Sequence, residues 1–454
     1  MQRRIIFGTL LLTLILSGCA HELHFAYQES ESMQMEIANY LPAYPKATFL
    51  VMSDLHYYDT ALGTDGKAFN EYLANDRKLL KESEELLTTA VDAMQLIPAQ
   101  FVLIPGDVTK DGEKQNHEKA AAFCARLEKQ GKRVFVVPGN HDIDNPHAFR
   151  YTTNGKEPVP SVTADEFAAI YNEYGFSEAF SRDAFSLSYA VEPVPGLWLL
   201  GLDACLYREN QPDKEPAVNG RFQEETLVWL EKILMRSVRE KKAVIAFMHH
   251  GVIEHFKGQN DYFGDYLVDY FPDIASLLAA FKVRLVFTGH FHAQDVAKMI
   301  RQKSAEDFLF DIQTGSLVTA PCPYRIVSIL PQNRLRIESR FIDSIPSYPH
   351  GFRAYAEEYV AQGILETATK TLTQYWVPAE DVQKIAPQIT AAFCAHYRGD
   401  ESLPVGQEVL TEAGLSFMGG IVVGNRKELI YELWNDPPPP DNNLEIDLST
   451  GDCK

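Results

Sequence analysis

Five times between residues 47 and 292, a run of apolar residues stops at a block of glycine, acid, amide or imidazole. The runs are ATFLVMSDLH (47–56), FVLIPGD (101–107), RVFVVPGNHD (133–142), KKAVIAFMHHG (241–251) and VRLVFTGHFH (283–292). Near-continuous apolar runs of this length describe strands covered on both faces, so the sheet must lie between other layers. The intervening segments agree. DRKLLKESEELLTTAVDAMQ (76–95) places Leu79, Leu80, Leu86, Leu87 and Val91 at helical spacing, and HEKAAAFCARLEKQG (117–131) is a second helix closed by Gly131. The alternation resumes with GLWLLGLDA (196–204) and a helix over 221–240. DFLFDIQTGSLV (307–318), YRIVSIL (324–330) and RLRIESRFI (334–342) are then predicted as strands without intervening helices, completing a second sheet. The fold class is α/β.

At 454 residues, with 46% hydrophobic and 23% charged residues, the chain has a globular balance and room for more than one domain. A formal net charge of −20 argues against a broad basic face for a nucleic-acid backbone. Arg3 and Arg4 precede an apolar run, Ile5 to Leu16, too short to span a bilayer comfortably. This is the pattern of a secretory signal over residues 1–18. Leu16-Ser17-Gly18-Cys19 resembles the lipobox of bacterial lipoproteins, which implies lipidation of Cys19 and an exported body anchored on the periplasmic or extracellular face of a membrane. The alternative is a plain secretory signal with an incidental cysteine. Beyond Cys19, the cysteines are Cys124, Cys205, Cys322, Cys394 and Cys453, without the CxxC spacing of a thiolate metal site. Residues 19–45 read as a polar tether, 46–345 as the α/β domain and 346–435 as a small helical domain. Residues 436–454 read as a proline-rich tail in which NLEIDL alternates like a returning strand. In the helical part Pro387 is expected to kink or restart a helix, and no cluster of ligand-type residues stands out.

Asp54, His56, Asp107, Asn140, His249, His250, His290 and His292 all fall at the carboxyl ends of predicted strands, where ligand sites of α/β sheets assemble. Two carboxylates, one amide and several imidazoles, with no thiolate, suit Mn, Fe or Zn. The set is too large for one open catalytic ion and a sensible number for two.

SDLH, GDVTKDG, GNHD, MHHG and GHFH, in that order, resemble the blocks of the calcineurin-like metallophosphoesterases. The resemblance implies a four-layer α/β/β/α sandwich around two metal ions. Asp54, His56 and His292 would hold one ion, Asn140, His249 and His290 the other, and Asp107 would bridge them. A hydroxide shared by ions about 4 Å apart would be the nucleophile. His141 would face the substrate phosphate and protonate the leaving oxygen, and Asp142 would orient and charge His141. The family's usual His-His-Pro block ends here in Gly251. His249 is taken as the ligand by register, leaving His250 beside it or facing substrate.

The loops and the C-terminal extension resemble a branch of secreted bacterial lipoproteins described as cyclic-nucleotide phosphodiesterases. That likeness implies a small phosphate ester, such as a cyclic nucleotide, as substrate. Tyr57, Tyr58, Asn145, Phe149, Arg150, Tyr151 and Tyr207 are candidate contacts for its base or ribose. His117 and His255 read as surface histidines, and Asp203 as a carboxylate supporting the rim. Two rivals stand: a lipoprotein that binds metal or ligand without turnover, and a metal-dependent nuclease of the same superfamily, for which the acidic chain shows no strand-tracking basic groove.

Overall fold

In a computed structural model, residues 23–74, 76–301, 304 and 306–454 are described; the signal segment and Cys19 lie outside them. Two mixed sheets carry the fold. The first runs, in spatial order, Asn443–Asp447, Arg334–Phe341, Pro323–Leu330, Ala47–Val51, Phe101–Pro105, Arg133–Val137. Its last three strands are parallel, and Pro323–Leu330 pairs antiparallel with Ala47–Val51. The second runs Asp295–Ile300, Phe308–Gln313, Leu285–Thr288, Ala243–Met248, Leu197–Leu202, Tyr189–Val194, Ser181–Arg182, with four parallel strands in the middle. A short hairpin, Phe149–Thr152 with Gly155–Pro158, stands apart.

The twofold alternation of strand side chains explains the sandwich. Along Ala243–Met248, Ala243, Ile245 and Phe247 join Phe49, Phe101 and Phe135 in the core between the sheets. Val244, Ala246 and Met248 point the other way, into a second core under helices Glu224–Glu240 and Phe271–Ala280. Helices Ser83–Gln95 and Lys114–Glu128 bury their apolar stripes in the larger core. The layers are therefore α/β/β/α, with helices Phe352–Gln374, Ala379–Arg398 and Phe417–Glu432 beside them.

Three expectations change. Residues 23–45 are not an irregular tether over their length. They form helices Ala26–Glu29 and Glu31–Ala38, and Phe25, Tyr27, Ile37 and Tyr40 are buried in the outer core of the second sheet. Helix Ala379–Arg398 runs through Pro387 without restarting. The lost N–H costs one backbone bond, while burial of Val382, Ile385 and Ala386 holds the turn in place. A third C-terminal helix, Phe417–Glu432, has a glycine-rich start and no strong apolar stripe, so its sequence did not announce it. Among the described residues, no helix is long and apolar enough to cross a membrane.

Candidate metal centre

The five blocks converge at one rim of the sandwich. Asp54 and His56 follow strand Ala47–Val51, Asp107 follows Phe101–Pro105, and Asn140 to Asp142 follow Arg133–Val137. His249 follows Ala243–Met248, and His290 and His292 follow Leu285–Thr288. Asp54, His56, Asp107, His290 and His292 all have positive φ, between 36° and 72°. Non-glycine residues adopt that region at a cost of about 1–3 kcal/mol each, and such strain gathers where side chains must be aimed. Two glycines make room. A β-carbon on Gly139 would collide with the Asp107 carboxylate, and one on Gly289 would collide with that of Asp54.

Two buried donor groups result. Asp54, His56, Asp107 and His292 form one, and Asp107, His249 and His290 the other, each with its ligand atoms within 4.8 Å of one another. Asp107 belongs to both. Its Oδ2 lies 3.5 Å from His56 Nε2 and 3.3 Å from His249 Nε2. His56 Nε2 and His292 Nε2 are 3.1 Å apart, and His292 Nε2 is 3.4 Å from Asp54 Oδ1. Asn140 Oδ1 sits 3.0 Å from His249 Nε2. His290 packs against His249 and the Tyr266 ring, each with centroids 4.5 Å apart. Donor atoms sharing an ion at about 2.1 Å sit roughly 3–3.5 Å apart, so this spacing and the N/O donor set fit two divalent ions.

His249, not His250, is the imidazole against Asp107. Burial disfavours its charge, but Asp107 outweighs this and lifts it to about 9. His250 turns away to the carbonyl of Val218 at 2.9 Å, and burial with the neighbouring His249 lowers it to about 3.

His141 opens onto the cleft with a 22% exposed side chain, its Nε2 4.0 Å from Asp107 Oδ2. Its Nδ1 lies 2.8 Å from Asp111 Oδ1. Burial and Lys78 oppose protonation, yet Asp107 and Asp111 prevail and raise the imidazole above its ordinary value. Asp111 is itself paired with the buried Lys110, whose ammonium lies 4.2 Å over the Tyr72 ring. The expected pairing of Asp142 with His141 is therefore corrected. The Asp142 carboxylate accepts from the backbone N–H groups of Val108, Thr109 and Gly139 and from the Thr109 hydroxyl. It ties two blocks together, and Asp111 holds His141.

The donors floor a cleft of about 680 Å³. Its walls carry Arg77, Lys78 and Lys156, the acids Asp76 and Glu215, and the rings of Tyr72, Phe149, Tyr151, Tyr266 and His147, with the Lys156 ammonium 4.1 Å over the Phe149 ring. Of the sequence candidates for substrate contact, only Phe149 and Tyr151 line this space. Tyr57, Tyr58 and Tyr207 are core residues, Arg150 pairs with Glu157, and Asn145 holds the backbone of His141 and His147. His117 and His255 are buried rather than superficial. His117 bonds Tyr171, Thr109 and the Asp142 carbonyl, and His255 bonds Asp295. Asp203 caps the backbone of Leu187 and Cys205 and accepts from Tyr207.

The calcineurin-like phosphoesterase family profile matches residues 47–294. No curated protein matches the sequence. Solved structures that align include a dimetal phosphatase from Danio rerio, with TM-score 0.46 and 19% identity over 66% of this chain and 97% of that one. A purple acid phosphatase from yellow lupin aligns with TM-score 0.41 and 15% identity over 66% and 52% of the two chains. A Thermus thermophilus sulfate thiohydrolase gives 0.34 and 14% over 71% and 61%.

Proposed function

The chain belongs to the calcineurin-like phosphoesterase family, and on that premise we propose that it hydrolyses small phosphodiesters, cyclic nucleotides among them, with a pair of divalent metal ions. The observation that carries this reading is Asp107, one carboxylate shared by two buried donor groups at the floor of the cleft. Asp54, His56 and His292 would hold one ion, and Asn140, His249 and His290 the other, with Mn, Fe or Zn suited to the donors. When bound, the ions supply Lewis acidity and an activated water.

The chain's own groups do the rest. Arg77, and Lys78 paired with Asp76, line the cleft and would meet an entering phosphate with positive charge. Asp111 fixes the His141 ring through Nδ1 and favours its charged form, leaving Nε2 toward the cleft as the proton donor to the leaving oxygen. The partly exposed Tyr72 and Phe149 in the cleft wall, each with a lysine ammonium over its ring, support a nucleotide over a bare phosphate.

The test is a panel of mono- and diesters given to the metal-loaded soluble body from residue 20. Turnover of 2′,3′- or 3′,5′-cyclic nucleotides above simple monoesters is expected. A preference for monoesters would remove the diester assignment and leave the phosphoesterase one. Export and lipid attachment through Cys19 are part of the proposal, supported by Leu16-Ser17-Gly18-Cys19. Cys19→Ser should release the protein from membranes or block its processing, and unchanged membrane fractionation would exclude the lipid.

A further inference from the structure

Outside the cleft, a second meeting of carboxylate and imidazole lies where the C-terminal helices meet the core. Asp295 opens the edge strand Asp295–Ile300 of the second sheet, His396 is in the last turn of helix Ala379–Arg398, and Glu401 follows that helix. Their ligand atoms lie within 4.8 Å of one another, the same closeness seen in the cleft. His396 Nδ1 is 2.8 Å from Glu401 Oε1 and 3.7 Å from Asp295 Oδ2. The side chains of Asp295, His396 and Glu401 are only 7%, 1% and 3% exposed.

The hydrogen bonds there do not close. Glu401 Oε2 is buried without any partner, a desolvated carboxylate oxygen left bare beside the imidazole; His396 Nε2, the ring nitrogen that does not face the carboxylates, is unpaired as well. Asp400, Asp436 and Asp441 bring their own oxygens together alongside, and burial with the crowding of carboxylates raises Asp436 to about 7 and Asp441 to about 9. The cations at hand are already engaged. His255 is shared between Asp295 and Asp311, and the Arg325 guanidinium bonds the Asp441 carbonyl and that of Gln313.

We propose that Asp295, His396 and Glu401 form a third divalent-cation site that pins the end of helix Ala379–Arg398 to the edge of the core. Two carboxylates and one imidazole without a thiolate suit Zn²⁺ or Mn²⁺ better than Ca²⁺, which takes oxygen ligands. The site stands apart from whatever the cleft does.

The experiment strips the full soluble chain with a chelator, reloads it with Zn²⁺, desalts it and counts bound zinc by plasma mass spectrometry. Wild type should hold one ion per chain more than Glu401→Gln, whatever number the cleft keeps. The same difference of one should appear in an Asp107→Asn background, where the cleft is disabled. Zinc should also raise the melting temperature of wild type more than that of Glu401→Gln. His396→Gln is the second variant should the first misfold. Equal counts in wild type and variants, in either background, would overturn the site and leave a hydrogen-bonded acid–imidazole contact.

Discussion

Along the cleft floor, His56 and His292, both on backbone at positive φ, crowd against Asp54, Asp107 and each other, and His249 presses on Asp107 from the other side. Away from the cleft, on helix Lys114–Glu128, His117 is just as buried but relaxed, with Tyr171 on one ring nitrogen and Thr109 and the Asp142 carbonyl on the other. The residue type is the same. The floor leaves its donor atoms facing each other, whereas the helix uses both of its nitrogens up in hydrogen bonds. What separates a candidate ligand from a core histidine here is whether its ring nitrogens face carboxylates and other imidazoles or hydroxyls and a carbonyl that complete its hydrogen bonds. Breaking the floor should therefore cost turnover, and breaking the helix contact should cost stability.

The largest effect is expected from Asp107→Asn. Removing the one carboxylate common to both donor groups should take activity to background and reduce tightly bound metal. Full metal content with normal turnover would refute the shared-carboxylate reading. Next comes His141→Ala, with its metal complement intact and turnover lower by roughly 10²–10⁴-fold, the range for a general acid. The loss should be small for nitrophenyl esters and large for alkyl or cyclic esters, whose leaving oxygen is strongly basic. A loss independent of the leaving group would reduce His141 to holding the phosphate.

Asp111→Asn sits between floor and support. It leaves His141 in place but removes the charge on its Nδ1 side, so turnover should fall about 10–100-fold, as for other outer partners of functional imidazoles. The leaving-group pattern should match that of His141→Ala in weaker form. A uniform loss across esters would mean that Asp111 acts only through the fold.

The sequence made the floor legible for a physical reason. Ligands carried at strand ends must lie within a residue or two of an apolar run, and close approach forces glycine beside them, so each block is compact enough to read. Asp111 lay inside the quoted block GDVTKDG, but its role depends on where the loop folds relative to His141. Tyr72 comes from the short helix Lys67–Leu73, Arg77 and Lys78 from the link after it and Lys156 from the hairpin strand Gly155–Pro158, and nothing local marks any of them as lining the cleft. Asp295 lies far in sequence from His396 and Glu401, and the three carry no motif, so the helical region read as free of ligands. Phe25, Tyr27, Ile37 and Tyr40 were outweighed by polar neighbours, and the segment that docks read as a tether. His117 was misread although the signal was present: it extends the buried stripe Ala120, Cys124, Leu127 by one more turn.

That stripe supplies the smallest and most local prediction. Burial lowers the His117 imidazole to about 4, while in the unfolded chain it would titrate near its ordinary value of about 6.5. The folded state thus prefers the neutral ring. As pH falls below the unfolded value the unfolded chain binds a proton that the folded chain refuses, so stability drops until pH reaches the folded value. The loss from this one residue should reach about 2 kcal/mol at pH 5. His117→Gln cannot titrate. It should be less stable than wild type by about 1 kcal/mol at pH 7.5, for the lost bond to Tyr171. Below pH 6.5 the gap should close, and the two should cross at about pH 5.8, where the loss in wild type reaches about 1 kcal/mol. Other titrating groups are common to both chains, so the difference between their denaturant midpoints isolates His117. Parallel curves from pH 7.5 to 5 would show that the folded protein protonates His117 as readily as the unfolded one. The distinction drawn between this histidine and those of the floor would then fail on the helix side. Turnover above pH 7 should be unchanged in the variant, because no atom of His117 reaches the cleft.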